Sequence, residues 1–250
     1  MKKCVLSIDH LEKRYHDKNG ELVAIKDVSF DVYDGEFISI VGPSGCGKST
    51  LLSILAKIDK KSGGNINYFN DNVILGYMLQ SDFIFPWRTI LENCLLGLEI
   101  NNTLDESKKK RVIELLNTYG LGEFINKYPS SLSGGMKQRV ALIRTLAIDP
   151  DILLLDEAFS ALDFQTRSIL SDDVYKIIKK EGKTAIMVTH NLSEAITMSD
   201  RIIVLTSRPA IVKKIYNIKL TNKKTPIDNR KCPEFNDYYD QIWRDLDVHL

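Results

Sequence analysis

What this chain has little of narrows the field first. Its 250 residues include only four cysteines, Cys4, Cys46, Cys94 and Cys232, and no pair has Cys-x-x-Cys spacing. That favours reduced, cytosolic thiols over a disulfide framework or a cysteine zinc site. There is almost no net charge: 34 Lys and Arg against 33 Asp and Glu leave +1, too little for the global basic field of a nucleic-acid binder. No apolar run is long enough to span a bilayer. The start, Met1-Lys-Lys-Cys-Val-Leu-Ser-Ile, begins as an export signal does, but Asp9 and His10 cut its apolar stretch short, so it reads as a strand. Internal repeats and low-complexity segments are lacking too. The remainder, 44% hydrophobic and 27% charged, is ordinary for a globular protein, with length for one large or two small domains.

Short alternating runs through Val5, Ile8, Val23, Val28, Phe30 and Val32, with Asn19-Gly20 as a hairpin turn, predict antiparallel β structure at the front of the chain. Phe37–Val41 predicts a short apolar strand, and a helix runs from Leu51 to Lys57. Asn65–Tyr68 and Val73–Met78 read as further strands. From Thr89 to about Ala147 the period becomes helical, as in Ile90, Cys94, Leu95 and Leu98 and again in Val112, Leu115, Leu116 and Tyr119. Strand and helix then alternate: Ile152–Leu155, Arg167–Lys180, Thr184–Val188, Leu192–Met198 and Ile202–Leu205. That order predicts an α/β fold with a largely parallel sheet. After Lys219 the tail is polar until Pro233, and Phe235, Tyr239, Ile242 and Leu246 then mark an amphipathic helix.

The chemistry is concentrated in a few places. Gly42-Pro43-Ser44-Gly45-Cys46-Gly47-Lys48-Ser49 matches G-x-x-x-x-G-K-[ST] between a strand and a helix, the context that makes it a phosphate-binding loop. Glycines let successive backbone N–H groups turn onto phosphate oxygens, and the helix N-terminus adds its positive end. Lys48 supplies a point charge for the β- and γ-phosphates, the Ser49 hydroxyl suits magnesium, and Thr50 assists at the α-phosphate. Cys46, beside a helix N-terminus, is expected to be reactive through a lowered pKa, but not catalytic, since phosphoryl transfer to water needs no thiol. Ile152-Leu-Leu-Leu-Asp156-Glu157 is a buried strand ending in two acids. Asp156, at the carboxyl end where such sheets bind ligands, is the expected magnesium ligand, and Glu157 points to another side. Ser133 reads as a helix N-cap, and Gly134-Gly135 leave N–H groups exposed ahead of Lys137 and Arg139, which makes a second anion site.

Leu132-Ser-Gly-Gly-Met136 between the phosphate loop and the acidic strand end resembles the signature motif of the ATP-binding cassette (ABC) family. The resemblance covers Leu6 to about Lys214, with the motifs in the family's order. It implies a P-loop NTPase (RecA-like) core with an antiparallel β subdomain and a helical subdomain inserted at about 88–148. The ATPase domain would occupy 1–220, and a tail with its amphipathic helix 221–250. It implies ATP and Mg2+ as ligands. It further implies that Glu157 polarises the attacking water, and that Gln80, as the Q-loop glutamine, reaches magnesium or that water. His190 in Val-Thr-His would contact the γ-phosphate, and Tyr15 would stack on adenine. Ser133, Gly134 and Gly135 would close on the γ-phosphate of an opposite subunit, and Ser160-Ala-Leu-Asp163 resembles the D-loop that crosses the same interface. Family members usually have proline at the position of Ala158 and alanines around Arg144, where this chain has Leu142-Ile143-Arg144-Thr145; neither departure touches the nucleotide groups.

Phe85-Pro86-Trp87, Glu92-Asn93, Arg208-Pro209, Pro233-Glu234-Phe235 and Trp243 resemble the nitrate, sulfonate and taurine importer subfamily. The implied protein is the ATPase subunit of a bacterial importer at the cytoplasmic face of the membrane. It would be a homodimer, or paired with a paralogous ATPase, and would dock on integral-membrane permease subunits served by a solute-binding protein. The solute would be a small anion or a vitamin precursor. A soluble cassette acting on nucleic acid would carry paired cassettes or basic inserts, and neither is visible; a scaffold without turnover is disfavoured by intact Lys48, Glu157 and His190. The chain carries one cassette and no fused membrane segment, and it is too short for an appended regulatory domain.

Overall fold

The computed structural model describes residues 3–17, 20–81, 83–159 and 163–246. Asn19 of the expected hairpin turn and Ser160-Ala161-Leu162 of the D-loop match lie outside the described residues. In chain order the elements are β1 (Cys4–Asp17), β2 (Gly20–Tyr33), β3 (Phe37–Val41), α1 (Lys48–Leu55), β4 (Gly63–Tyr68) and β5 (Leu75–Met78). The helical stretch follows as α2 (Ile90–Ile100), α3 (Glu106–Thr118) and α4 (Gly134–Ala147). The chain then runs through β6 (Ile152–Asp156), α5 (Phe164–Lys180), β7 (Thr184–Val188), α6 (Leu192–Met198), β8 (Arg201–Leu205), β9 (Ala210–Asn217), α7 (Pro226–Asn229) and α8 (Glu234–Asp245).

The strands lie side by side in the order β4-β1-β2-β9-β8-β3-β7-β6-β5. The run β8-β3-β7-β6-β5 is parallel throughout, whereas β1 pairs antiparallel with β2 and β4, and β9 antiparallel with β8. The sheet is therefore mixed. The inner parallel strands β3, β6 and β7 are buried on both faces, as the apolar runs Phe37–Val41, Ile152–Leu155 and Thr184–Val188 require. Alternation assigns their side chains. Ile38, Ile40, Leu154 and Ile186 pack with α1 and the antiparallel strands, while Leu153, Leu155, Ala185 and Met187 pack with α2 to α5. Thr89 opens α2 with a reciprocal capping box to Glu92, and Asp105 caps α3.

Three elements differ from the sequence reading. The first helix starts at Lys48, not Leu51, because Gly47 is its N-cap in the left-handed region, at φ 114°. Strand β9 was not anticipated, since Lys213-Lys214 breaks the alternation that would have marked it. The tail is not featureless before Pro233: Thr225 caps α7 with Pro226 in its first turn. Asn229 of α7 is fully buried and donates to the Thr197 carbonyl at 2.7 Å. Helix α8 packs Ile242 with Ile196, Val204 and Tyr216, alongside the half-buried Phe235 and Tyr239.

Asp200, between α6 and β8, ties the tail to the sheet. Its carboxylate accepts from the Phe37 amide at 3.0 Å, from Lys179 at 3.2 Å and from tail residue Lys223 at 2.9 Å. Burial pulls its pKa up, but Lys223, the Phe37 amide and Lys179 outweigh that and hold it at about 2, below the ordinary 3.8. A carboxyl with a depressed folded pKa stabilises the fold fully above its unfolded value, and the contribution fades as pH falls through the folded one. The difference corresponds to roughly 2 kcal/mol. Asp200→Asn is accordingly expected to lower unfolding free energy by about that amount at pH 6. The gap to the unsubstituted protein should close as the pH drops from 4 toward 2. Denaturant titrations at several pH values check this, and a gap independent of pH would refute it.

Candidate active site

The phosphate loop joins the carboxyl end of β3 to α1, in the middle of the parallel strands. Gly45 (φ 73°) and Gly47 (φ 114°) turn in the left-handed region, which side chains avoid. Gly47 is also crowded: a Cβ there would stand 3.2 Å from the Ala24 carbonyl of β2. Lys48 is buried and folds back over the loop, donating to the Gly42 carbonyl at 2.8 Å and the Pro43 carbonyl at 3.0 Å. Ser44, Gly45, Gly47, Lys48, Ser49, Thr50 and Glu157 line one cleft of about 250 Å³.

Asp156 at the end of β6 reaches the same place. Its carboxylate accepts from the Ser49 hydroxyl at 2.9 Å and from the Tyr77 hydroxyl at 3.1 Å. Burial pushes its pKa up, partly opposed by those two hydrogen bonds. Tyr77 was missed by the sequence reading. Only the tertiary pairing reveals it: β5 runs parallel to β6 with Met78 beside Leu155, so a tyrosine near the end of β5 reaches the acids at the end of β6.

Glu157 follows in the left-handed region at φ 44°, uncommon for a residue with a side chain and frequent at functional sites. Its amide is fixed to the Val188 carbonyl at 2.9 Å, which turns the side chain away from that of Asp156. One of its carboxylate oxygens lies 3.3 Å from His190 Nδ1 and accepts from Gln80 Nε2 at 3.4 Å. Residues 80, 157 and 190, distant in sequence and each just past a parallel strand, thus meet at one oxygen. Such an arrangement can hold a water and accept its proton.

Other expected residues stand apart from this cleft. Ser133 caps α4, accepting from the Met136 amide at 3.4 Å, and Ser133 and Gly134 are exposed. A Cβ on Gly135 would lie 3.4 Å from the Thr166 side chain, so the starts of α4 and α5 are adjacent. Asp163 caps α5, accepting from the Gln165 and Thr166 amides at 3.1 Å each. Tyr15 on β1 is 40% exposed; its hydroxyl donates to Asp59 at 3.0 Å, and Lys13 Nζ lies 4.5 Å from the ring centroid.

Cys46 requires a correction. Its thiol was expected to be activated by the helix N-terminus. Instead it is buried, in the core beneath the loop, with Sγ 2.9 Å from where a Cβ of Gly42 would be. Burial raises its pKa, only partly offset by Lys48, so it is a packing residue with little thiolate, not a reactive one.

A family described as ABC transporter matches residues 25–160. An uncharacterized ABC transporter ATP-binding protein, YtlC of Bacillus subtilis, is 45% identical over 96% of this chain and 95% of its own length. The taurine import ATP-binding protein TauB of Roseobacter denitrificans is 39% identical over 95% of this chain and 92% of its own. Among solved structures, the dimeric bacterial ABC transporter cassette MJ0796 superposes with a TM-score of 0.72 at 32% identity, covering 86% of this chain and 99% of the cassette. The same cassette is also known as a dimer in a post-hydrolysis state with ADP and Pi, at 30% identity.

Proposed function

Because the chain belongs to the ABC transporter family, as an ATP-binding and ATP-hydrolysing subunit, we propose that it energises an importer for a small solute of the nitrate, sulfonate or taurine kind. The observation that carries the catalytic half of this reading is the meeting of Gln80, Glu157 and His190 beside the phosphate loop.

ATP lies with its phosphates on the amides of Gly45 to Ser49, and Lys48 exchanges the loop carbonyls for the β- and γ-phosphates. Adenine stacks on Tyr15. Magnesium fits the residues present: the donors are all oxygen, from Ser49 and Asp156 with Gln80 nearby, and the described residues hold no cluster of three or more His, Cys, Asp or Glu that would make a closed protein cage. Such a partial set suits an ion that keeps water and phosphate oxygens as its other ligands, and when bound it neutralises charge on those phosphates. Glu157 accepts a proton as a water oxygen bonds to the γ-phosphorus. The bond from that phosphorus to the β–γ bridging oxygen breaks, and ADP and inorganic phosphate leave. His190 and Gln80 hold Glu157 and the water in line.

The cassette acts as a dimer, in which Ser133, Gly134, Gly135 and Asp163 of one copy face the nucleotide of the other. It sits on the cytoplasmic face of the membrane against permease subunits, and a solute-binding protein delivers the cargo. The permease contact is the loop between Gln80 and α2. Phe83 and Trp87 are exposed there, Trp87 at 70%, and Phe85 and Trp87 pack ring to ring at 5.1 Å. Fully buried Asn93 holds the loop in shape: it accepts from the Phe85 amide and donates to the carbonyls of Phe85, Arg88 and Thr89. Rigid exposed aromatics beside a braced turn suit a docking socket. Phe85→Ser with Trp87→Ser is expected to leave folding and ATP binding intact while co-purification with the permease and solute-stimulated hydrolysis are lost. A mutant that loses its cooperative melting transition would instead make these rings part of the core.

A further inference from the structure

His190 is half exposed, yet the residues on either side of it are held by several side-chain hydrogen bonds. Thr189 is buried and donates its hydroxyl to Glu194 at 2.8 Å, and the same hydroxyl accepts from the Asn191 amide at 3.0 Å. Asn191 donates its side-chain amide to the other oxygen of Glu194 at 3.3 Å. It also caps α6, accepting from the Ser193 and Glu194 amides at 2.9 and 3.3 Å. Glu194 is only 3% exposed, and its carboxylate therefore grips both sequence neighbours of His190 from below. Burial raises its pKa, while Thr189 and Arg167 act against that. Arg167, whose Nε stands 3.9 Å from Glu194, lies in the first turn of α5 and donates its own amide to the Asp163 carbonyl at 2.9 Å.

A buried carboxylate is a poor choice for packing alone, because an apolar side chain of the same volume serves stability as well or better. What a carboxylate does here, and an apolar residue cannot, is fix the two polar residues that flank His190 at once through its two oxygens. We infer that Glu194 is a positioning residue for the hydrolytic step: it holds the turn so that His190 Nδ1 meets Glu157, and through Arg167 it ties that turn to the start of α5. The inference rests on the reading of His190 as a participant in hydrolysis, and it assigns no contact between Glu194 and nucleotide.

The test is a mutant cycle on the full chain, read as kcat and KM for ATP, with thermal melting alongside. Glu194→Ala is expected to lower kcat by about 10²-fold, the scale of a displaced reacting group, with KM changed less than about threefold. In a His190→Ala background the same substitution should cost nothing further, since a residue acting only through His190 has nothing left to position. Thr189→Val, which deletes the bridging hydroxyl at constant shape, should reproduce the loss, and Thr189→Ser should restore the rate. If Glu194→Ala does not melt cooperatively, the Thr189→Val cycle decides alone. Losses that multiply on the His190→Ala background, or full activity in Thr189→Val, overturn the positioning role and leave the histidine reading standing. Full activity in His190→Ala itself overturns the histidine reading, and this inference with it.

Discussion

Glu157→Gln is expected to slow ATP turnover by about 10²–10⁴-fold, some 3–5 kcal/mol of barrier, with ATP affinity unchanged. The amide keeps the size of the side chain and can still bond with His190 and Gln80 from the left-handed position at φ 44°, but it cannot take a proton from water. Nothing about the phosphate loop is altered, because its contacts run through Lys48, Ser49 and Asp156. Binding without hydrolysis should then accumulate a nucleotide-held dimer, visible by gel filtration or light scattering with ATP and absent with ADP. Phosphate release near the normal rate from the mutant in its membrane complex would remove Glu157 from the chemistry.

The second large effect is expected at a residue outside the cleft. Ser133→Arg should abolish hydrolysis while the monomer still binds one nucleotide with normal affinity. In the single chain Ser133 only caps α4, through a 3.4 Å bond to the Met136 amide, and losing that cap costs about 1 kcal/mol, too little to unfold the protein. On the proposed reading its part in hydrolysis would come from a second copy, whose γ-phosphate would meet the exposed start of α4. A long cation there displaces the cap and fills the space between subunits. Equilibrium binding of a fluorescent ATP analogue to monomer, set beside turnover, separates the cases. If affinity and turnover fall together, Ser133 serves the nucleotide of its own chain.

The parallel sheet was legible in the sequence because both faces of its inner strands are covered: short, mostly apolar runs ending at Val41, Leu155 and Val188, alternating with helical patterns, mark such strands. The site was legible for a related reason. Backbone demands at Gly45 and Gly47, and paired acids at a strand end, leave fixed marks in residue type. Cys46 shows where such reading fails. A helix N-terminus lowers a thiol pKa only if the thiol faces it, and whether a loop residue points to ligand or to core depends on dihedral angles that residue type does not encode. Tyr77, Thr189 and Glu194 were silent because their roles come from tertiary neighbours: each is ordinary in its own element and gains meaning from an adjacent strand or turn. The half-exposed β9 and the short α7 escaped because paired lysines and a polar flank hide elements whose burial is only partial.

The order of the strands also bears on how the protein is made. β3 lies between β8 and β7, with Phe37 beside Ala185 and Ile38 beside Arg201. Those partners are translated long after it. At about 5–20 residues per second, Phe37-Ile38-Ser39-Ile40-Val41 spends roughly ten seconds outside the ribosome before either neighbouring strand exists. The mutual pairing of β1, β2 and β4 involves nothing beyond Tyr68 and can form early, with the other edge of β2 left for β9. The nascent chain thus carries an early antiparallel platform beside an unpaired strand that is apolar but for Ser39, the kind of segment that aggregates or recruits a chaperone. The strand that ends in the phosphate loop is therefore both an inner strand of the finished enzyme's sheet and a stretch left unpaired through much of its synthesis.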